Sequence, residues 1–306
     1  MKKLVHFITY SKAAAYIAAL LYIVSWCAQV ETKTLAGAFC LLLSLVMGYL
    51  LIKVNREFSL SDTKNTLPAT LFFLGSALAP DLLNQHEGVV HFLLFSLACF
   101  MLLRTYRSRD AMGTYFLAFA LIGVQCLLSP PLLLALPFMV LGGAFLESLH
   151  GRTLFAALWG LLFPYWMACG VLFLTDRVGL IVPYLEQIIP VSSAFVLTSF
   201  GLWAQLLWAL LLFVPGCIGI LLNHTIKLQT SSGFRLIITA LLVLAVAVGI
   251  SPTNYSGLFP CILLGVSLIG SALFAGAGKR VRNIFLVVLV LFLLASLGYV
   301  LYGTIS

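Results

Sequence analysis

Apolar stretches of about 20 residues recur along the whole chain, and this repetition limits its possible folds more than any other feature. About 20 consecutive apolar residues allow an α-helix to cross the hydrocarbon core of a bilayer. Of the 306 residues, 62% are apolar and 8% are charged. A soluble domain is closer to half apolar and a quarter charged. No water-soluble fold could bury this surplus, so the chain is predicted to lie mostly in lipid.

Solid apolar runs, such as residues 41–46 and 285–294, predict helices and not a membrane β-barrel. Barrel strands alternate lipid-facing and lumen-facing residues, which gives weak alternation of apolar and polar positions. A helix also satisfies its own backbone hydrogen bonds in hydrocarbon. The predicted fold class is all-α, a polytopic transmembrane helix bundle. Residues 1–306 are predicted to form a single integral membrane domain, because no segment has the composition of a soluble one.

Hydropathy divides the chain into about eleven predicted spanning helices. The first is interpreted as an uncleaved helix, because the residues around 28–31 make a poor signal-peptide cleavage site. The predicted spans are residues 13–30, 35–54, 67–83, 89–104, 112–128, 131–149, 153–174, 201–222, 236–250, 255–274 and 284–301.

The distribution of the 17 basic residues supports this count and predicts the orientation. Cytoplasmic ends of membrane helices carry an excess of Lys and Arg. With the N-terminus in the cytoplasm and the C-terminus outside, only Lys33 and Arg177 fall on the outer side. The predicted cytoplasmic set is Lys2, Lys3, Lys12, Lys53, Arg56, Lys64, Arg104, Arg107, Arg109, Arg152, Lys227, Arg235, Lys279, Arg280 and Arg282. One missing or extra helix in the count would move every later loop to the opposite side of the membrane.

The longest connection, residues 175–200, is predicted to be an outer interfacial segment. Its run 178–185 is too apolar for a solvated loop, so we expect a short helix lying in the interface. It is interpreted as a surface anchor or as a gate over a cavity.

The net charge of +8 does not indicate a nucleic-acid partner, because the basic residues are scattered at the ends of apolar runs. The seven cysteines lie within apolar runs and form no CxxC pair, so we predict no metal site and no cofactor. Membrane lipid is the expected partner, and the sequence leaves the oligomeric state open.

Ionisable groups near hydrocarbon are costly, which makes them candidate functional residues. In the predicted topology, Glu31, Asp81, His86, Glu87 and His91 all face the outer side. Together they could bind a cation, accept a proton or act as a general base. Glu31 and Asp81 are predicted to be catalytic, and His86, Glu87 and His91 to bind substrate. The alternative is that they are ordinary interface residues, or in the case of His91 a packing histidine.

Two motifs resemble an uncharacterised family of multi-pass bacterial inner-membrane proteins of unknown function. The first opens the third predicted span, and the second extends from the fifth predicted span into the seventh. The residues concerned are Lys64, Asn65, Thr66, Leu67, Pro68 and Ala69, then 123–128, Ser129, Pro130, Pro131, Arg152, Gly160, Leu161, Leu162, Phe163, Pro164 and Tyr165. This resemblance implies the bacterial inner membrane as the location.

The helix order is also distantly similar to the membrane core of C-type glycosyltransferases. Those enzymes take sugar from a polyprenyl-phosphate carrier and use an acidic residue in the first outer loop, where this chain has Glu31. The loop is short here and lacks the acidic pair of that family. The similarity implies a protein of cell-envelope biogenesis that handles a lipid-linked glycan, with a polyprenyl-phosphate-linked substrate as the partner.

Two other functions stay open at this stage. Prolines within the spans, such as Pro164 and Pro260, favour a transporter or flippase, because broken helices often form transporter sites. Small residues at spacing four, Ser267, Ser271 and Ala275, favour close helix packing and a non-catalytic subunit of an envelope complex. The sequence does not decide whether the protein is an enzyme.

Overall fold

The structure is a computed structural model that describes residues 11–29, 35–58, 66–78, 86–108, 110–188, 200–222, 228–250, 255–276 and 279–305. Twelve α-helices lie within these ranges. They are α1 (Lys12–Gln29), α2 (Leu35–Phe58), α3 (Leu67–Ala77), α4 (His86–Leu103), α5 (Met112–Leu128), α6 (Leu136–Ala144), α7 (Gly151–Leu174), α8 (Ile181–Glu186), α9 (Phe200–Leu222), α10 (Leu228–Ile250), α11 (Tyr255–Gly276) and α12 (Lys279–Ile305).

The all-α prediction is confirmed for the described residues, which contain helices and no strand. Five segments are long and apolar enough to cross a membrane. They lie in α2, α7, α9, α10 and α11. Shorter apolar helices include 16 residues of α4 and all 17 of α5. The chain therefore has the helices of a membrane protein.

The sixth predicted span, residues 131–149, is not one continuous α-helix. A 3₁₀-helix, Pro130–Ala135, leads into α6, and turns follow from residue 145. Pro130, Pro131 and Pro137 have no backbone N–H to donate, which disfavours regular α-helix at this point. At about 2.0 and 1.5 Å per residue, the two pieces together rise roughly 26 Å, against a hydrocarbon core of about 30 Å. This segment is a broken helix.

The chain divides into two compact units. Unit 1 comprises Met1–Val89, Val196–Ser231 and Ile262–Ser306, and small residues hold its helices together. Ser25 of α1 donates a hydrogen bond to the Ala77 carbonyl at the end of α3 (2.6 Å). In α2, Gly48 lies against the ring of Phe73, where any side chain would collide. Trp208 of α9 is fully buried and packs on Gly75 of α3.

Unit 2 comprises Val90–Phe195 and Ser232–Cys261, and the pair α5 and α7 is its framework. The backbones of these helices approach closely because glycine lies at each contact. Gly160 of α7 lies against the carbonyl of Phe116. A Cβ on Gly123 of α5 would be 2.7 Å from the carbonyl oxygen of Leu161. The face of α7 away from α5 is apolar and exposed, as expected for a surface in contact with lipid.

A short strap, residues 178–186, follows α7 in unit 2. It consists of the 3₁₀-helix Val178–Leu180 and α8. Asp176 has left-handed backbone (φ 55°), and the Arg177 N–H donates to the Leu172 carbonyl (2.9 Å), so the chain reverses at the end of α7. The short helix that the sequence predicts is present. Its position in the membrane interface stays a prediction, and residues 189–199 of the predicted segment lie outside the described residues.

Candidate functional site

Two groups of buried or partly buried polar side chains lie at opposite ends of α5 in unit 2. The first, which we call the Tyr115 cluster, comprises Thr105, Tyr115, Ser148 and Thr153. The second, which we call the His91 cluster, comprises His91, Gln125, Tyr165 and Tyr184. The ten residues from Tyr115 to Gln125 rise roughly 15 Å along the helix.

The Tyr115 cluster is a closed hydrogen-bond network. The Tyr115 and Ser148 hydroxyls are 2.9 Å apart, and the Thr105 and Ser148 hydroxyls are 3.1 Å apart. Thr105 also donates to the Leu102 carbonyl (2.7 Å). The Thr153 hydroxyl accepts the His150 N–H (2.7 Å) at the start of α7. All four side chains are buried. Each has a partner, so this cluster joins the α4–α5 turn to the start of α7.

Exposed charged residues surround the Tyr115 cluster. Arg107 Nε donates to the Glu147 carboxylate (2.7 Å), and this bond raises the pKa of Arg107. Both side chains are about half exposed. An open pocket of about 460 Å³ nearby is lined by Asp110, Met112, His150, Gly151, Arg152 and Thr153. Acidic and basic side chains both line this pocket, so its charge does not select one class of ligand.

His91 is the central residue of the second cluster. It lies on α4 with its side chain 4% exposed, and its Nδ1 atom has no hydrogen-bond partner. Gln125 of α5, also buried, donates from Nε2 to the His91 carbonyl at 3.4 Å, which is near the limit for a hydrogen bond. On α11, Gly257 faces the imidazole ring. The cluster therefore contains a buried polar atom that the protein itself does not satisfy.

The strap joins this cluster one residue further along α5. Pro130 has no N–H, so the Cys126 carbonyl, four residues earlier, loses the donor that a continuing helix would supply. The Tyr184 hydroxyl donates to that carbonyl instead (3.0 Å). The Tyr165 and Tyr184 hydroxyls are 3.1 Å apart, and Tyr165 must be the donor because Tyr184 has one proton. Burial raises the pKa of Tyr184, so its hydroxyl stays protonated at neutral pH.

The structure describes only some of the predicted site residues. Glu31 and Asp81 lie outside the described residues. His86 and Glu87 are in the first turn of α4, and their side chains lie outside the description. His91 is described, and it is buried. The convergence of these five residues therefore stays a prediction.

Gln125, Tyr165 and Tyr184 were not predicted as site residues from the sequence. A polar amide inside an apolar run is a usable signal, because such groups are costly in a membrane and tend to be functional or bonded. The partner of Tyr184 could not be found in this way, because a carbonyl freed by a proline accepts from any nearby donor.

Metal-ligating side chains do not converge in the part of the chain that the structure describes: no group of three His, Cys, Asp or Glu could hold an ion there. None of the seven cysteines forms a disulfide, and Cys40, Cys99, Cys126 and Cys261 are buried.

The chain matches no protein-family model, and no curated protein or solved structure matches it.

Proposed function

We propose that the chain is a multi-pass protein of the bacterial inner membrane with about eleven crossings, its N-terminus in the cytoplasm and its C-terminus outside. Five helices long and apolar enough to cross a bilayer support this proposal. So does the charge asymmetry, in which only Lys33 and Arg177 of the 17 basic residues fall outside. The broken helix at residues 130–144 would supply the sixth crossing.

Within that topology, we propose a role in cell-envelope biogenesis, in which the protein handles a lipid-linked glycan. The observation that carries this proposal is the unpartnered Nδ1 of buried His91. In unit 2, α7 presents an exposed apolar face that could contact a polyprenyl chain, and its Tyr165 belongs to the His91 cluster. A lipid-linked sugar has both of the matching parts, an apolar chain and a polar head.

The proposed roles follow from the chemistry of each side chain. Glu31 and Asp81 are the proposed catalytic carboxylates, since a carboxylate can take a proton from an attacking hydroxyl. His86, Glu87 and His91 are the proposed binding residues. The proposed partner is a polyprenyl-phosphate-linked substrate in the outer leaflet.

The test is glycan transfer in membrane vesicles from a deletion strain complemented with single variants, with lipid-linked saccharides measured by mass spectrometry. We expect Glu31→Gln and Asp81→Asn each to lower the transfer rate by about 100-fold or more, the usual contribution of a general acid or base. Asp110→Asn is the matched control, because it removes an exposed carboxylate near the Tyr115 cluster. Normal transfer in both test variants would refute the catalytic role.

A transporter or flippase is the second candidate, and the broken helix at residues 130–144 favours it. Helices interrupted inside the membrane form many transporter sites. The distinguishing test is movement of a fluorescent polyprenyl-phosphate lipid between the leaflets of proteoliposomes. A flippase moves this lipid without transferring sugar, whereas a transferase does the reverse. Movement no faster than in empty liposomes would exclude the flippase.

A further inference from the structure

The open pocket at the start of α7 is lined by opposite charges that do not pair with each other. Asp110, just before α5, and Arg152, in the first turn of α7, both line this pocket, together with the exposed His150. In the described part of the chain, neither Asp110 nor Arg152 belongs to an ion pair. The neighbouring Arg107 and Glu147, by contrast, pair with each other at 2.7 Å. The charges lining the pocket are therefore available to a ligand.

The pocket has room for more than a single ion. Its volume of about 460 Å³ lies within the roughly 300–1,000 Å³ that is typical of small-molecule sites. Gly151 is part of the lining, and a Cβ built on it would meet no atom of the described residues within 4 Å. Met112, with a side chain 46% exposed, adds an apolar surface. The space next to Arg152 is therefore open.

An exposed apolar stripe extends along α7 from this pocket. It consists of residues that follow Arg152 at spacings of three and four and so lie on the same face of the helix: Phe155, Trp159, Leu162 and Trp166. Each of these four side chains is more than half exposed. From Arg152 to Trp166 the helix rises roughly 21 Å, and half of a hydrocarbon core of about 30 Å is shorter than that. A molecule with its polar end in the pocket can therefore extend a hydrocarbon chain along α7.

The two charges match a molecule that carries both signs. A simple anion would lie next to the Asp110 carboxylate and a simple cation next to the Arg152 guanidinium, and like charges repel. A phosphate can accept hydrogen bonds from a guanidinium, and a primary ammonium can donate them to a carboxylate. A quaternary ammonium has no N–H and is recognised by aromatic rings, which are absent from the described lining of this pocket. The lining therefore suits a phosphate joined to a primary amine.

We propose that this pocket binds the headgroup of phosphatidylethanolamine. Its phosphate accepts from Arg152, its ammonium donates to Asp110, and an acyl chain lies along the apolar stripe of α7. In the proposed topology this lipid belongs to the inner leaflet. The inference goes beyond the proposed function, because it requires a membrane protein and no glycan chemistry. It places a lipid site at the end of α5 opposite the His91 cluster.

The test is native mass spectrometry of the full chain in detergent, titrated with dioleoyl phospholipids that differ in the headgroup. Phosphatidylglycerol lacks the amine, and phosphatidylcholine lacks the N–H donors. We expect one saturable site at which phosphatidylethanolamine has a Kd at least about tenfold below that of the other two, the equivalent of 1.4 kcal/mol.

A soluble molecule could carry the same headgroup, and glycerophosphoethanolamine, which has no acyl chains, tests this source. We expect it to bind at least about tenfold more weakly than the lipid, because it cannot contact the stripe on α7. Equal affinity of the two would assign the pocket to a soluble ligand and overturn the proposal of a lipid site.

Two substitutions of exposed residues have different expected outcomes. Arg152→Gln removes the phosphate partner and should weaken both phosphatidylethanolamine and phosphatidylglycerol by about tenfold. Asp110→Asn removes the ammonium partner and the repulsion of an anion, so the preference for phosphatidylethanolamine over phosphatidylglycerol should disappear. Asp176→Asn and Arg177→Gln are the matched controls. They remove exposed charges at the other end of α7 and should leave every Kd unchanged.

Two outcomes would overturn the inference. Tighter binding of phosphatidylglycerol than of phosphatidylethanolamine by the unaltered protein would mean a site for anionic lipid. An equal loss of binding in the control variants would mean general attraction to the charged surface and no site at this pocket. Glycan transfer is a separate property, which Asp110→Asn is expected to retain.

Discussion

The Tyr115 cluster and the His91 cluster both consist of polar side chains, but they differ in whether the hydrogen-bonding atoms of their central residues have partners. Both are groups of buried or partly buried polar side chains near the ends of the same helix, α5, and both join several elements of unit 2. In the first, Tyr115, Ser148 and Thr105 hydrogen-bond to one another at 2.9 and 3.1 Å. In the second, the Gln125 bond is 3.4 Å long and His91 Nδ1 has no partner.

The difference separates polar groups that hold a structure together from polar groups available for a ligand. A satisfied buried network rigidifies the protein, and each lost partner costs stability. An unsatisfied group already bears that cost in the free protein, so its removal costs little. The loss of such a group would then be detected in ligand binding or in catalysis, and not in the stability of the protein.

Gly160→Ala should have the largest effect on stability, because the close packing of α5 against α7 positions both clusters. The new methyl group would collide with the Phe116 carbonyl, and the backbones would have to separate. We expect a loss of about 1–3 kcal/mol in the free energy of unfolding. Unfolding in mixed micelles by increasing SDS measures it.

Gly170→Ala is the matched control on the same helix, since a Cβ there meets nothing within 4 Å. It should be neutral or stabilising by about 0.5–1 kcal/mol, as for glycine replaced by alanine inside a helix. Equal effects of the two substitutions would show that the α5–α7 contact is less close than described.

Tyr115→Phe tests the closed cluster. It removes a hydroxyl 2.9 Å from Ser148 and 3.2 Å from the Gly143 carbonyl, both in a buried site. We expect a loss of about 1–2 kcal/mol in the same unfolding measurement. Tyr16→Phe, at a side chain 72% exposed, should change nothing. An unaltered stability in Tyr115→Phe would mean that the network contributes nothing.

Tyr184→Phe tests the strap and leaves the rest of unit 2 in place. The Cys126 carbonyl loses its donor, at a cost of about 1 kcal/mol. Hydrogen exchange of residues 178–188 should become several-fold faster, because about 1.4 kcal/mol corresponds to tenfold. Tyr165→Phe keeps the bond from Tyr184 to Cys126 and should change exchange less. Unchanged exchange in Tyr184→Phe would show that other contacts hold the strap.

Glu147→Gln should have the smallest effect, with no measurable change in stability or transfer. Its ion pair with Arg107 is about half exposed, and such pairs contribute little. Glu147→Gly should instead stabilise the protein by roughly 0.5–1 kcal/mol, because Glu147 has left-handed backbone (φ 56°) that glycine adopts readily. A larger loss of unfolding free energy in Glu147→Gln than in Tyr115→Phe would contradict the expectation that the buried hydroxyl contributes more than the exposed ion pair.

Helices were predictable from the sequence, because apolar length alone defines them. Segment 112–128 was predicted with the bounds that α5 has. The residues at which helices begin were less predictable. Helix α10 begins at Leu228 and not at residue 236, because the polar residues before Arg235 belong to the helix. The sixth span, 131–149, is interrupted and not one continuous α-helix, because its prolines lack the backbone donors that a regular helix needs. Hydropathy cannot distinguish a 3₁₀-helix from an α-helix of equal apolarity.

Of the candidate site, the sequence indicated His91 through its position inside an apolar run. It could not show that Nδ1 lacks a partner, because that depends on how α4, α5 and α11 pack. Gln125 had the same signal as His91 and went unused.

The decisive measurement pairs His91→Gln with Tyr115→Phe and records both unfolding free energy and glycan transfer for each. We expect His91→Gln to lose less stability than Tyr115→Phe, because the Nδ1 atom that it removes has no hydrogen-bond partner. Its transfer should be lost. Tyr115→Phe should lose stability and, while folded, keep its transfer rate. A destabilised His91→Gln with normal transfer would show that His91 is a packing residue, and the contrast between the clusters would fail.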